Sequence, residues 1–188
     1  MKTIIAAFAL LFTVPFLASA QNPDTPVQGQ FYFFTAPIVS NTQYVTVFRP
    51  PAQFTTTTKV GGNNTGFGGE VLMRNGIGVG VEFGYAGPDW SFNGGGAVGV
   101  GSVDATYHFF GNKSRRRVEP FLSGGYSLYY GQRTTFQSGF NVGGGISRWV
   151  VKHAAVRLEI RDQGGINHFD GFSPFTNFVA FRVGMTFR

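Results

Sequence analysis

The sequence predicts an all-β protein: an eight-stranded, antiparallel, up-and-down transmembrane β-barrel, preceded by a cleaved signal peptide. Three observations predict it. Segment after segment alternates apolar and small or polar residues with period two, the signature of a strand. Glycine (28 residues) and phenylalanine (22) are abundant, while charged residues are only 13%, against about 25% in an ordinary domain. The chain also opens on an export signal and contains no cysteine, so an exported fold must be stabilised without disulfides.

In chain order, the export signal comes first. Lys2 precedes an apolar run from Ile4 to Phe16, and Ala18-Ser19-Ala20 supplies the small residues that a signal peptidase reads. Residues 1–20 are therefore expected to be removed, leaving 21–188 as one outer-membrane barrel domain with no attached periplasmic domain. No later apolar run approaches the length of a spanning helix.

Eight strands are expected, at roughly 28–36, 66–74, 77–86, 97–109, 118–130, 139–149, 154–162 and 177–187. The first, "QFYFFT", is too uniformly aromatic to phase. The second and third are joined by Asn75-Gly76, the strongest short hairpin signal. The third carries Ile77, Val79, Val81, Phe83 and Tyr85 on one face, with Gly78, Gly80, Glu82 and Gly84 on the other. In the fourth, the phase changes near Gly101-Ser102, which suggests a bulge. The seventh sets Ala154, Val156, Leu158 and Ile160 against Ala155, Arg157, Glu159 and Arg161, and the eighth sets Val179, Phe181, Val183, Met185 and Phe187 against Ala180, Arg182 and Gly184. Connections fall in two alternating sets: 37–65, 87–96, 131–138 and 163–176 are longer on the whole, and 75–76, 110–117 and 150–153 shorter. Inside the first long connection, Gln43 to Phe48 alternates like a strand before Pro50-Pro51 and is expected to form a ribbon above the barrel.

Steric and solvation arguments decide which face points outward. An eight-stranded barrel has an interior just wide enough for side chains to fill, so it cannot hold rows of Ile, Val, Phe and Tyr from nearly every strand. The opposite rows are too poor in charge for a water-facing surface. With the apolar rows on lipid both conflicts vanish, and the glycines leave room inside for Glu70, Glu82, Asp104, Arg157, Glu159, Arg161 and Arg182. Four acids against three arginines predict a salt-bridged lumenal charge network, because buried charges must be paired. The pattern does not fix the phase of His108 and Glu119. Strand lengths suit the ~25 Å apolar band that about 9–11 tilted residues cross. Tyr85 at one end, and Tyr107, Phe109 and Phe187 at the other, fall where aromatic girdles belong.

The segments "GVGVEFGY" (78–85), "SVDATYHF" (102–109), "VEPFLSGGYS" (118–127), "NVGGGISRW" (141–149), "AAVRLEIRD" (154–162) and "FVAFRVGMTF" (178–187), in this order after a signal peptide, resemble the small OmpA/OmpX-like outer-membrane protein β-barrel domain family of Gram-negative bacteria. The resemblance implies a place in the outer membrane, with long connections outside and short ones in the periplasm. It also implies insertion by the barrel assembly machinery, which reads a final aromatic residue. Here Phe187 is followed by Arg188, so that signal is displaced by one position.

Motifs for other chemistry are weak. His168, Asp170 and Ser173 in "NHFDGFS" share one Gly-rich loop, which lacks the rigidity that a nucleophile and its base require. Gly94-Gly95-Gly96 and Gly143-Gly144-Gly145 open no helix and precede no Lys-Ser/Thr, so they are not phosphate loops. Asn112 to Arg117, "NKSRRR", reads as a solvated turn or as a contact for anionic lipid headgroups. The net charge of +6 comes without a dense basic, aromatic-interleaved patch, so nucleic acid is not an expected partner. No catalytic, cofactor-binding or metal-ligating residue is assigned. The expected protein is a monomer in outer-membrane lipid, with a structural or surface-exposed binding role toward an extracellular ligand that the residues do not name. A small-solute pore and a lipid-modifying barrel enzyme are the alternatives.

Overall fold

The computed structural model describes residues 27–47, 53–60, 62–87, 98–109, 117–131, 134–166 and 175–188. The expected signal peptide (1–20), the glycine run 94–96, most of the 110–117 connection and the His168–Ser173 loop lie outside them. The described strands are β1 (Val27–Val47), β2 (Gln53–Val60), β3 (Asn63–Met73), β4 (Ile77–Gly87), β5 (Val98–His108), β6 (Val118–Gly131), β7 (Thr134–Val151), β8 (Ala154–Ile166) and β9 (Phe175–Phe187). The order in the sheet is β2-β1-β3-β4-β5-β6-β7-β8-β9, every ladder is antiparallel, and β1 also pairs with β9. That last ladder closes eight strands into a barrel, which leaves no strand edge for lipid to desolvate.

β2 stands outside this count. Ser40–Val47 of β1 pairs with Val60–Gln53 of β2, lower down Val27–Ala36 pairs with Met73–Asn64 of β3, and the other edge of β1 holds β9. The ribbon expected in the first long connection is therefore a backbone hairpin continuous with the barrel wall. Strands also run further than expected elsewhere: β8 reaches Ile166, and β6 and β7 end and begin at Gly131 and Thr134. Ladder hydrogen bonds have no reason to stop where lipid does. The hydrophobic pattern ends at the lipid boundary, and the strand continues past it.

The Asn-Gly turn forms as expected. Gly76 has φ 91° and its N–H donates to Met73 O at 3.0 Å, while Asn75 Oδ1 accepts from the Ile77 N–H at 3.1 Å. A side chain at φ 91° would cost about 1–2 kcal/mol, which is why glycine occupies that corner.

The apolar rows face outward. Val79 is 50% exposed, Val103 58%, Val142 63% and Ile160 55%, whereas Glu82 is 2% exposed and Arg161 0%. This inverted distribution is that of a protein whose solvent is hydrocarbon. Two phase expectations are resolved differently from the sequence. "QFYFFT" does have a phase: Gln30, Tyr32 and Phe34 are buried in the lumen, while Phe33 faces out. In β5 there is no bulge near Gly101-Ser102. Its ladders to β4 and β6 run without a shift and its burial alternates throughout. The apparent phase change arises because Val98 and Val100 are inward residues that happen to be apolar. They join Ala36, Ala86, Tyr129, Phe178 and Ala180 in a hydrophobic layer at the long-connection end of the lumen.

Candidate functional site

The site is the middle of the lumen. Each of the seven charges expected there is buried, on the inward row of its strand. Each also lies beside a small or oppositely charged neighbour in the ladder. Glu70 and Asp104 both pair with Gly80, Glu82 with Gly68 and Ser102, and Asp104 also with Gly125. Arg157 lies between Ser147 and Gly184, Arg161 between Gly143 and Ala180, and Glu159 between Gly145 and Arg182. The glycines are packing requirements and not spare volume. A Cβ on Gly80 would stand 2.7 Å from Gly69 O, and one on Gly143 would meet Glu159 Oε1 and Ser123 Oγ at 3.0 Å each. The room is already taken by backbone oxygens of the neighbouring strand and by the lumenal side chains.

Those side chains form one connected network. Arg161 is its centre: Nε donates to Glu159 Oε1 at 2.6 Å and Nη1 to Asp104 Oδ2 at 2.8 Å, with Glu82 Oε2 at 3.3 Å. Arg182 Nη1 donates to both oxygens of Glu82, at 2.9 and 3.0 Å. Arg157 Nε reaches Glu159 Oε2 at 3.3 Å, and its Nη1 stands 3.7 Å from Glu70 Oε1, an ion-pair rather than a hydrogen-bond distance. Polar side chains donate to further carboxylate oxygens: Asn141 Nδ2 to Asp104 at 2.8 Å, Thr106 Oγ1 to Glu70 at 2.8 Å, and Tyr32 OH to Glu82 at 3.3 Å.

Two further members, His108 and Glu119, have a phase that the alternation leaves open. His108 and Glu119 are inward and buried. His108 Nδ1 lies 3.1 Å from Glu119, within hydrogen-bond reach, and its Nε2 lies 3.2 Å from Glu70, so each ring nitrogen faces a carboxylate. Trp149 Nε1 donates to Glu119 at 2.9 Å. The aromatic floor was not foreseen. The Arg157 guanidinium is sandwiched between Tyr32 (4.4 Å) and Phe121 (3.9 Å), and Arg182 lies 4.0 Å over Phe34. Cation–π contacts strengthen when desolvated. The aromatics of "QFYFFT" therefore serve two faces, which is what hid their phase.

At the chain end, Phe187 points outward and stacks on Phe33 at 5.8 Å. Arg188 folds back: its N–H donates to His153 O at 3.1 Å and its guanidinium covers Trp149 at 3.8 Å. Arg188 thus lies against the base of the barrel, while Phe187 stays on the outward wall.

Chemically, these carboxylates and guanidiniums are committed to one another. Separating one partner from a buried pair costs about 3–5 kcal/mol, so the network ties the strands together across the lumen.

An apolar exterior around a salt-bridged interior, closed by an antiparallel ladder, defines a membrane-spanning β-barrel of the small eight-stranded outer-membrane kind. No family model and no curated protein matches the chain. Among solved structures it is similar to Neisserial surface protein A, with a TM-score of 0.56 and 12% identity, over 84% of this chain and 96% of that one. It is also similar to the N-terminal β-barrel domain of Pseudomonas aeruginosa OprF, with a TM-score of 0.43 and 13% identity, over 79% and 98%. The first of these likenesses shows the fold.

Proposed function

We propose that this chain is a monomeric, non-enzymatic outer-membrane protein of a Gram-negative bacterium, inserted by the barrel assembly machinery, with a locked lumen and a surface-exposed binding edge. The carrying observation is the ribbon. β1 runs for 21 residues, about twice what crossing the apolar band requires. Its outer half is sheet, held by β9 on one side and β2 on the other, and β2 pairs with β1 alone among the described residues. An ordered strand with an open edge is a template for strand addition by an extended segment of a partner protein.

The locked lumen supports the structural reading over the pore. Planar bilayers should show no steady, large conductance from the wild type, and Arg157→Ser with Arg161→Ser should loosen the lock. A steady wild-type channel unaltered by that double change favours the small-solute pore. Orientation has its own test. An epitope inserted at Pro50-Pro51 should be labelled on intact cells. One inserted after Lys113 should be labelled only when the outer membrane is opened. The reverse pattern would invert the topology and remove the binding edge from the surface.

A further inference from the structure

At the short-connection end of the barrel, one cation stands in the wrong row. On the outward face of β7, Ile146, Arg148 and Val150 follow one another, and Arg148 is exposed. Its ladder partners are Val118 on β6 and Val156 on β8. All four neighbours are outward-facing aliphatics, between 37% and 69% exposed. Arg148 makes no ion pair among the described residues, and the acids on the described strands near this end (Glu70, Glu119, Glu159) are buried in the lumen. The surroundings are basic. Arg117 immediately precedes β6 and accepts the Trp149 N–H on its carbonyl at 2.7 Å, which places its backbone beside the Arg148-Trp149 segment. Lys152 follows β7 directly in the turn to β8, and both residues are exposed. The short connections 74–76, 109–117 and 150–153 contain no Asp or Glu.

A guanidinium ringed by lipid-facing valines needs an anion at the depth where acyl chains give way to headgroups. Long basic side chains keep their stems on apolar surface while the charged head reaches the interface. The arginine fork matches two oxygens of a phosphate. We propose that Arg148, with Arg117 and Lys152, forms a binding site for the phosphodiester of an anionic phospholipid, whose acyl chains lie on Val118, Val150 and Val156. The orientation proposed above would put this rim in the phospholipid leaflet. The site itself is tested without that orientation, so the two can fail separately.

The test is native mass spectrometry of the full barrel refolded in neutral detergent with equal phosphatidylglycerol and phosphatidylcholine. Wild type should retain phosphatidylglycerol preferentially. Each basic residue near an anionic lipid surface is worth about a fivefold change in partitioning, so Arg148→Gln should lower the preference about fivefold. Arg117→Gln with Lys152→Gln should lower it further, while Arg148→Lys should keep most of it and Lys59→Gln all of it. Only protein that keeps the folded mobility of an unboiled barrel on a gel is counted. Millimolar inorganic phosphate should not displace the lipid, because acyl contacts contribute. Three results would overturn the proposal: no wild-type preference, an unchanged preference in folded Arg148→Gln, or full displacement by phosphate, which would mean that the rim reads free anions.

Discussion

Two layers of the same lumen are built from opposite chemistry. The middle layer holds Arg161 and its carboxylates, all nearly without solvent exposure. Above it, toward the long connections, Val98, Val100, Tyr129 and Phe178 pack against alanines, with Tyr129 and Phe178 edge to face at 6.2 Å. β5 crosses the boundary on one inward row, from Val98 and Val100 to Ser102, Asp104, Thr106 and His108. The contrast shows that inward and polar are not synonyms in this barrel. The apolar layer is stabilised by burial and tolerates being loosened a little. The ionic layer stands or falls with its pairing.

Breaking the pairing should have the largest effect. Arg161→Met leaves Glu159 and Asp104 facing each other without their shared cation, and should cost about 3–5 kcal/mol in urea unfolding from lipid vesicles. Next, the outer wall can be challenged at mid-height. Val81→Arg should cost about 2–4 kcal/mol by the same measurement, and a neutral result would mean that this row does not meet lipid. Gly80→Ser, which the alternation alone would rate as mild because it faces the lumen, is not a benign control, since its Cβ would crowd Gly69 O and Glu70.

A smaller effect is expected in the apolar layer. Val100→Ala removes two methyl groups beside Tyr129 and should cost about 2 kcal/mol, with no dependence on salt. If its cost tracked ionic strength, the two layers would not be separate. The smallest effect sharpens the comparison most. Glu82→Gln combined with Arg182→Met removes both partners of one pair, and should lie within about 1 kcal/mol of wild type, well below Arg182→Met alone. A double change costing as much as the sum of the singles would show that the pair has net worth beyond its mutual need.

Much of this is legible in the amino-acid sequence. Asn75-Gly76 marked its turn because only certain residues accept that backbone. The seven lumenal charges are legible because each falls on the alternate row of its strand, opposite a row that is mostly Val, Ile, Leu, Phe or Tyr. What stayed hidden had physical causes. Tyr32 and Phe34 look like lipid-facing residues but lie against the arginines, since an aromatic ring suits both hydrocarbon and a desolvated cation. Val98 and Val100 imitated a bulge because the lumen changes chemistry along its axis. His108 and Glu119 sit at a strand end and just inside a strand start, where alternation has too few residues on one side to set a phase. The continuation of β7 and β8 beyond lipid is hidden in the sequence because a strand in water needs no apolar row, whereas the alternation of Gln43 to Phe48 marks the ribbon of β1.

The account rests on one claim: the apolar rows meet lipid and the inward rows do not, even where the inward residue is itself a valine. Methyl-labelled valine spectra of the barrel in micelles carrying a nitroxide on the fatty-acid tail test it without any substitution. The account predicts that the methyls of Val79, Val103, Val142 and Val156 broaden while those of Val98 and Val100 stay sharp. Broadening of Val100 in place of Val103, or of both equally, would contradict it.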